Sequence, residues 1–404
     1  MIFKISIRNT MRQKRRTILT ALTMFGGFVL AAISVGWSDG TYSYIIDMFT
    51  RNQLGHIQIH GKGYLDKPSL YNTIEDYQNV GEQINRVKGV ESWTPRLFAA
   101  GLASVSDKSA AAQVKGIDPV KENQATRFNK KIVEGKTFPD TVARVAMLGK
   151  GLAEVLKANV GDEVVIVSQA ADGSIANDLY KIIGIIESGD EISDRMSLYL
   201  HLQDAQELFV LNNRIHEIAV VVNDLDKVEE LTARIQNKLD DPELAVAPWQ
   251  EFAKSFYQAM RADVQGMWIM IFVIVLIVAI GVLNTVLMSV LERTREYGVQ
   301  KAIGTRPRQI FWQVILEVNT IAMVSIVIGI FLSILANHLL SIYGITLPQS
   351  FTYGGIEFKN MYAEVNARSL YIPAITVMLS ALLVSIFPAL RAARIKPAKA
   401  MRMH

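Results

Sequence analysis

The chain has 404 residues, half of them apolar, a formal charge of +4 and no cysteine, so no disulfide framework holds it and any large domain must fold on its own core. Its basicity sits in three short places: +6 in residues 1 to 16, +3 in 292 to 308 and +5 in 391 to 404, which leaves −10 for everything else. That placement excludes a nucleic-acid surface as the reason for the charge and points to membrane topology, with Lys and Arg held on the cytoplasmic side beside anionic headgroups.

Four apolar runs reach the roughly 20 residues that cross a bilayer: 17–37, 267–291, 310–336 and 370–390. Residues 1–16, the loop 292–308 and the tail 391–404 are therefore expected inside, and residues 38–266 and 337–369 outside. The first run exceeds the roughly 7 to 15 apolar residues of a signal-peptide core, which predicts an uncleaved anchor.

From Ser38 a helical spacing of apolar residues continues through Tyr42, Ile45, Ile46 and Phe49 and predicts a stalk. In the stretch from His56 to His60 the isoleucines alternate with polar residues, which predicts a strand with one polar face. On a strand the two histidines lie roughly 13 Å apart, too far to share a metal ion. A helix from Asn79 to Val87, strands Val90 to Ser106 and Ala111 to Gly116, and then strand Glu217 to Val222, helix Leu225 to Leu239 and strand Leu244 to Ala247 give two β-α-β units. They predict a split, ferredoxin-like subdomain around a β-rich insertion at 118–214. Gly135-Lys136-Thr137 imitates a phosphate-binding loop, but position 130 is Lys where that motif needs Gly, so it reads as a turn. No HExxH, GxSxG or dinucleotide pattern occurs, and no metal or catalytic residue is assigned. From Trp249 a second stalk runs through Phe252, Phe256 and Met260 into the membrane. The fold class is thus an α+β membrane protein, four transmembrane helices with a large external α+β domain between the first two.

Inside the membrane runs, Asn284 is placed to bridge helices. Glu317, about 10 Å along its helix from the cytoplasmic end, is expected to face other helices or a basic loop residue. It reads either as a conformational latch or as an interfacial side chain. The internal segments of 16, 17 and 14 residues are too short for a catalytic domain, so the chain is not expected to be an enzyme. What remains is a subunit that receives force or a signal at its inner loop and delivers it to the outer domain.

Three stretches then carry a resemblance: Asn284-Thr285, the loop from Glu292 to Gly304 (ERTREYGVQKAIG), and the ending from Pro388 to Arg402 (PALRAARIKPAKAMR). Together they are similar to the signatures of the MacB/FtsX-like superfamily of ABC transporter permeases, with Tyr297, Lys301 and Met401 as mild departures. Glu317 falls where that family commonly has a glutamate, and residues 148–167 and 181–187 resemble its external core domain.

The resemblance implies a permease paired with a second copy or a paralogue and bound to a dimer of separate ABC ATPases. Those partners would hold ATP and Mg, while this chain binds no cofactor. It makes 292–308 a coupling loop, with Glu292, Arg293, Glu296, Tyr297, Gly298, Lys301, Ala302, Gly304 and Arg306 as its working residues, aided by Pro388, Arg391, Arg394 and Pro397 of the tail. The first helix begins at Thr17, unlike exporters that carry a fused ATPase ahead of it. The layout looks closest to the lipoprotein-releasing branch, LolC and LolE, which hands acylated cargo to a periplasmic carrier. Tripartite efflux of peptides or amphiphiles, or FtsX-like control of an external hydrolase, are the alternatives. The polar turn Ala170 to Asn177 is the candidate carrier contact.

Overall fold

The structure, a computed structural model, describes residues 14–139, 141–353 and 356–400. The basic arm up to residue 13, and Met401 and Arg402 of the ending, lie outside these. The chain divides into a helical unit drawn from Met1–Tyr44, Met260–Pro348 and Asn360–His404, and an α+β unit drawn from Ile45–Ala259 and Gln349–Lys359.

In the helical unit each apolar run lies within one of four long helices: Lys14–Phe49, Lys254–Glu292, Pro307–Tyr343 and Arg368–Ala393. All four are long and apolar enough to cross a membrane. Met24, Phe28, Val278, Val282, Val314, Val318, Val377 and Ala381 form their shared core. The outward rows are apolar too; Phe272 and Phe331 are both about 70 % exposed (66 % and 72 %), as a lipid-facing surface requires.

Polar bridges between helices do exist, but Asn284 does not make one. It is exposed on its helix and has no interhelical hydrogen bond among the described residues. Among the described residues, bridges include Asn337 Nδ2 to the Ala32 carbonyl at 3.2 Å and Ser325 Oγ to the Ala21 carbonyl at 3.1 Å. Helical periodicity does not identify which polar residue faces a neighbour when every surrounding position is apolar.

The α+β unit is built on a ten-stranded sheet. Its strands, in chain order, are β1 (Ile57–Gly61), β3 (Val90–Val105), β4 (Lys108–Ile117), β5 (Ile132–Gly135), β6 (Val145–Gly149), β7 (Glu163–Gln169), β8 (Ile175–Ile186), β9 (Ser197–His201), β11 (Glu217–Val222) and β12 (Leu244–Pro248). The two-residue strands β2 (Ile74–Glu75) and β10 (Arg214–Ile215) pair separately, and β13 (Ile345–Tyr353) pairs with β14 (Ile356–Met361).

The order β12-β1-β11-β3 is antiparallel, with helices Tyr77–Asn85 and Val228–Leu239 in the two crossovers, which is the ferredoxin-like arrangement. The second helix buries Val228, Leu231, Thr232 and Ile235, the three-to-four spacing of an amphipathic helix on a sheet.

The insertion is not a separate β-rich body. β3 is 16 residues long; its first part pairs with β11, and from Arg96 onward it pairs with β4, with β7 joining at Leu102–Ser104. β9, β6, β8 and β5 then extend the same sheet. β1 also differs from expectation. It lies between β11 and β12, which pair both its edges, and both its faces are covered as well, since Gln58 and His60 are as buried as the isoleucines. Gly135 ends β5 at φ +87° opposite Gly184, and Lys136 N–H still bonds to the Ile183 carbonyl of β8, so the segment runs on along the sheet and does not form the expected turn. The Ala170–Asn177 turn is tied down by Ala171 N–H to the Phe209 carbonyl, leaving Asp172, Gly173 and Ser174 exposed.

Candidate functional site

The segment between the second and third long helices forms one short helix, Thr294–Ala302. Arg293 leaves helical geometry and lets the chain turn, while Thr294 Oγ1 donates back to the Leu291 carbonyl at 2.6 Å. At the other end Gly304 has φ +100°, a conformation that favours glycine, and its N–H closes on the Lys301 carbonyl. The next helix starts at Pro307 behind Arg306, whose N–H donates to Gln309 Oε1 at 2.8 Å.

The inner side of this short helix is wired into the long ones. Arg293 is 5 % exposed. Its Nη1 donates to both carboxylate oxygens of Glu317, at 3.0 and 2.9 Å, and its Nε donates to Glu296 Oε2 at 3.0 Å. The guanidinium also lies 5.2 Å from the Tyr297 ring centroid. Tyr297 is buried, and burial pushes its phenol well above the ordinary range against the pull of Arg293, so it stays neutral. A cavity of about 30 Å³ beside the pair, lined by Arg16, Arg293, Tyr297 and Glu317 among others, has room for about one water. Glu292 pairs with Arg16 of the first long helix.

Two contacts tie the loop to the tail. Lys301 Nζ donates to the Ala393 and Ile395 carbonyls, at 3.0 and 2.8 Å, and so caps the end of the last long helix. Gly298 faces the terminal short helix Pro397–Ala400; a Cβ there would sit 2.6 Å from that of Ala400. Pro388 is buried inside the last long helix, and Arg391 and Arg394 are exposed at its end.

The outer side is different. Arg295, Glu296, Val299, Ala302, Ile303 and Arg306 are exposed, with Ile303 at 80 % and Val299 at 45 %. The structure therefore brings Arg293, Glu296, Tyr297 and Glu317 together, joins Gly298 and Lys301 to the tail, and leaves Asn284 apart. Val299 and Ile303 are the residues that motif reasoning passed over. Their signal was present, two large aliphatic residues four apart in a segment that is otherwise charged, polar or small apart from Tyr297.

Two family models match this chain: the MacB-like periplasmic core domain over residues 17–238, and the FtsX-like permease C-terminal over residues 268–397. The first alone takes in more than half of the sequence, and the second contains the whole 292–308 loop and Glu317. The chain belongs to the MacB/FtsX-like permease family. Among relatives, the lipoprotein-releasing system transmembrane protein LolC of Neisseria meningitidis is 24 % identical over 265 residues, covering 64 % of this chain and 62 % of LolC. The macrolide export ATP-binding/permease protein MacB of Campylobacter jejuni is 24 % identical over 415 residues, 99 % of this chain and 61 % of that protein. The ABC transporter permease YtrF of Bacillus subtilis is 26 % identical over 417 residues, 92 % of this chain and 90 % of YtrF. The chain thus matches about three fifths of the length of the LolC and MacB relatives. Within this MacB/FtsX-like chain, among the described residues, no group of three or more His, Cys, Asp or Glu is placed to hold a metal ion.

Proposed function

We propose that this chain is the permease subunit of an ATP-driven ABC transporter. It works beside a second copy or a paralogue, on a dimer of separate ATPase subunits that bind ATP and Mg. In this reading the loop and both termini are cytoplasmic, and the α+β unit stands in the periplasm of a bacterial inner membrane. The observation that carries the proposal is the two-sidedness of the helix Thr294–Ala302. Its outer side offers Val299 and Ile303 amid Arg295, Glu296 and Arg306, an apolar patch with a charged rim that suits docking into a groove of another protein. Its inner side is bonded to Glu317 and to the end of the last long helix, so displacement of the loop is felt by two membrane helices. The Arg293–Glu317 pair is the latch in that linkage, and the stalks carry the motion outward by mechanotransmission.

We further propose lipoprotein release as the transport task, on the likeness to LolC. The MacB relative, which matches nearly the whole chain, supports efflux of a peptide or amphiphile as the second reading. Purification of the chain with its native ATPase, followed by mass spectrometry of what accompanies it, separates the two. Acylated peptides are expected with lipoprotein release and an adaptor protein with efflux. Recovery of the chain without any ATPase, under conditions that preserve membrane complexes, would remove the basis of both.

A further inference from the structure

One face of the large sheet carries charge where a covered face is ordinarily apolar. The pairing registers set His60, Glu217, Arg96 and Ile117 side by side on β1, β11, β3 and β4, and set Phe98, Lys115 and Tyr199 side by side on β3, β4 and β9. Residues two apart on a strand share a face, so Arg96 with Phe98, and Lys115 with Ile117, place both rows on the same side. Above them lies a cavity of about 420 Å³, within the range of small-molecule sites, roofed by Leu65, Phe128 and Asp190 among others.

The charges in it are almost all spent. Arg96 reaches Glu122 through Nε and Nη2, at 3.1 and 2.7 Å, and Glu217 through Nη1 at 2.9 Å. Glu122 also accepts from the Thr94 and Thr126 hydroxyls, and Glu217 faces His60 Nε2 at 3.1 Å. Lys131 has Glu122 as its strongest opposite charge. Asp190, in the lining, accepts from the Ile192 and Ser193 amides, and Asp194, which feels the charge of Lys115, accepts from the Ser188 amide through Oδ2. Lys115 itself donates to Ser193 Oγ at 3.1 Å, lies 5.5 Å from the Tyr199 ring centroid, and forms no ion pair among the described residues. It is a half-buried ammonium in an aromatic-walled cavity whose other charges, two cations (Arg96, Lys131) and three carboxylates (Glu122, Glu217, Asp190), are engaged in the contacts above.

We infer that this cavity binds a small organic anion, whose carboxylate or phosphate head is taken by Lys115 with Ser193 and whose apolar body lies on Phe98, Phe128 and Tyr199. A charge-assisted hydrogen bond to a partly desolvated ammonium supplies the head contact, and aromatic walls supply the rest. The site lies wholly within the α+β unit and stands or falls independently of ATPase docking.

Equilibrium dialysis of the full chain in lipid nanodiscs tests it, with labelled 4-phenylbutyrate, phenyl phosphate and the uncharged 4-phenylbutanamide as probes. Saturable binding of about one anion per chain is expected, and whichever of the two anions binds tighter identifies the head group. The amide should bind at least about tenfold more weakly, and Lys115→Met should weaken the anion by a similar factor while Lys115→Arg largely restores it. Should Lys115→Met disturb folding, the comparison of anion with amide on the unaltered chain decides. Absence of saturable uptake of either anion overturns the inference, as does equal uptake of anion and amide.

Discussion

Arg293 and Glu317 are joined through a single guanidinium nitrogen that reaches both carboxylate oxygens, with Glu296 held on the neighbouring Nε. The pair links the loop to the third long helix at a depth where neither charge is well hydrated. Removing one partner strands the other, which for a buried pair costs about 3 to 5 kcal/mol, whereas the net value of the intact pair is smaller. Arg293→Met and Glu317→Leu are each expected to lower thermal stability in detergent. The double variant should recover part of the loss, with a coupling on the order of 1 to 3 kcal/mol. Simple additivity of the two single effects would show that the pair is not a functional unit.

Gly298 leaves room for the terminal helix at Ala400, and any side chain there displaces it. Gly298→Trp should leave membrane insertion intact but free the tail, read as faster tryptic cleavage after Arg394 by at least about tenfold, a local opening of roughly 1.4 kcal/mol. It should also uncouple ATP turnover from transport, as should Glu296→Lys. Unchanged cleavage together with unchanged transport would refute the role given to the tail contact.

Ile303 is exposed among the described residues, so its replacement tests docking with little disturbance of the fold. Ile303→Asp is expected to preserve the melting temperature while reducing ATPase recovery in pull-down at least about tenfold, the loss typical of a central apolar anchor. Full ATPase retention would move the docking surface elsewhere.

His56 is 1 % exposed, and its Nδ1 accepts the Val222 amide at 3.0 Å. Burial, and then the charge of Arg51, push its pKa down to about 4 from 6.5. The unfolded chain takes up a proton near 6.5 and the folded one only near 4. The stabilisation is therefore whole above about pH 6.5 and is lost as pH falls toward 4, by up to about 3 kcal/mol. Hydrogen exchange of β11, corrected for intrinsic rate, should show easier opening near pH 5 than near pH 7, and His56→Gln should flatten the difference. Equal opening energies at both values in the unaltered chain would contradict this.

Much of this was legible in the amino-acid sequence, because it lives in local patterns. The four spans follow from run length and charge, the ferredoxin-like half from two β-α-β periods, and the expectation that Glu317 faces a basic loop residue from the cost of a carboxylate in a membrane. The rest depends on distant pairing. Nothing local tells that Lys301 caps carbonyls 92 and 94 positions away, that Gly298 yields space to Ala400, or that His60 and Glu217 meet across β1 and β11. Asn284 shows the reverse failure: its type suits a helix bridge, but its place on the helix turns it outward.

The 16-residue strand β3 belongs to both halves of the α+β unit, with one end in the ferredoxin-like order and the other carrying the insertion. The insertion is consequently not a cassette. Cutting it out at 118 and 214 would strip β4 of β9 and leave two strands with a row of unsatisfied backbone donors and acceptors, an edge prone to pairing with other chains. A change in what this unit contacts is therefore made by altering loops on a retained sheet, because the sheet has no seam at which to divide.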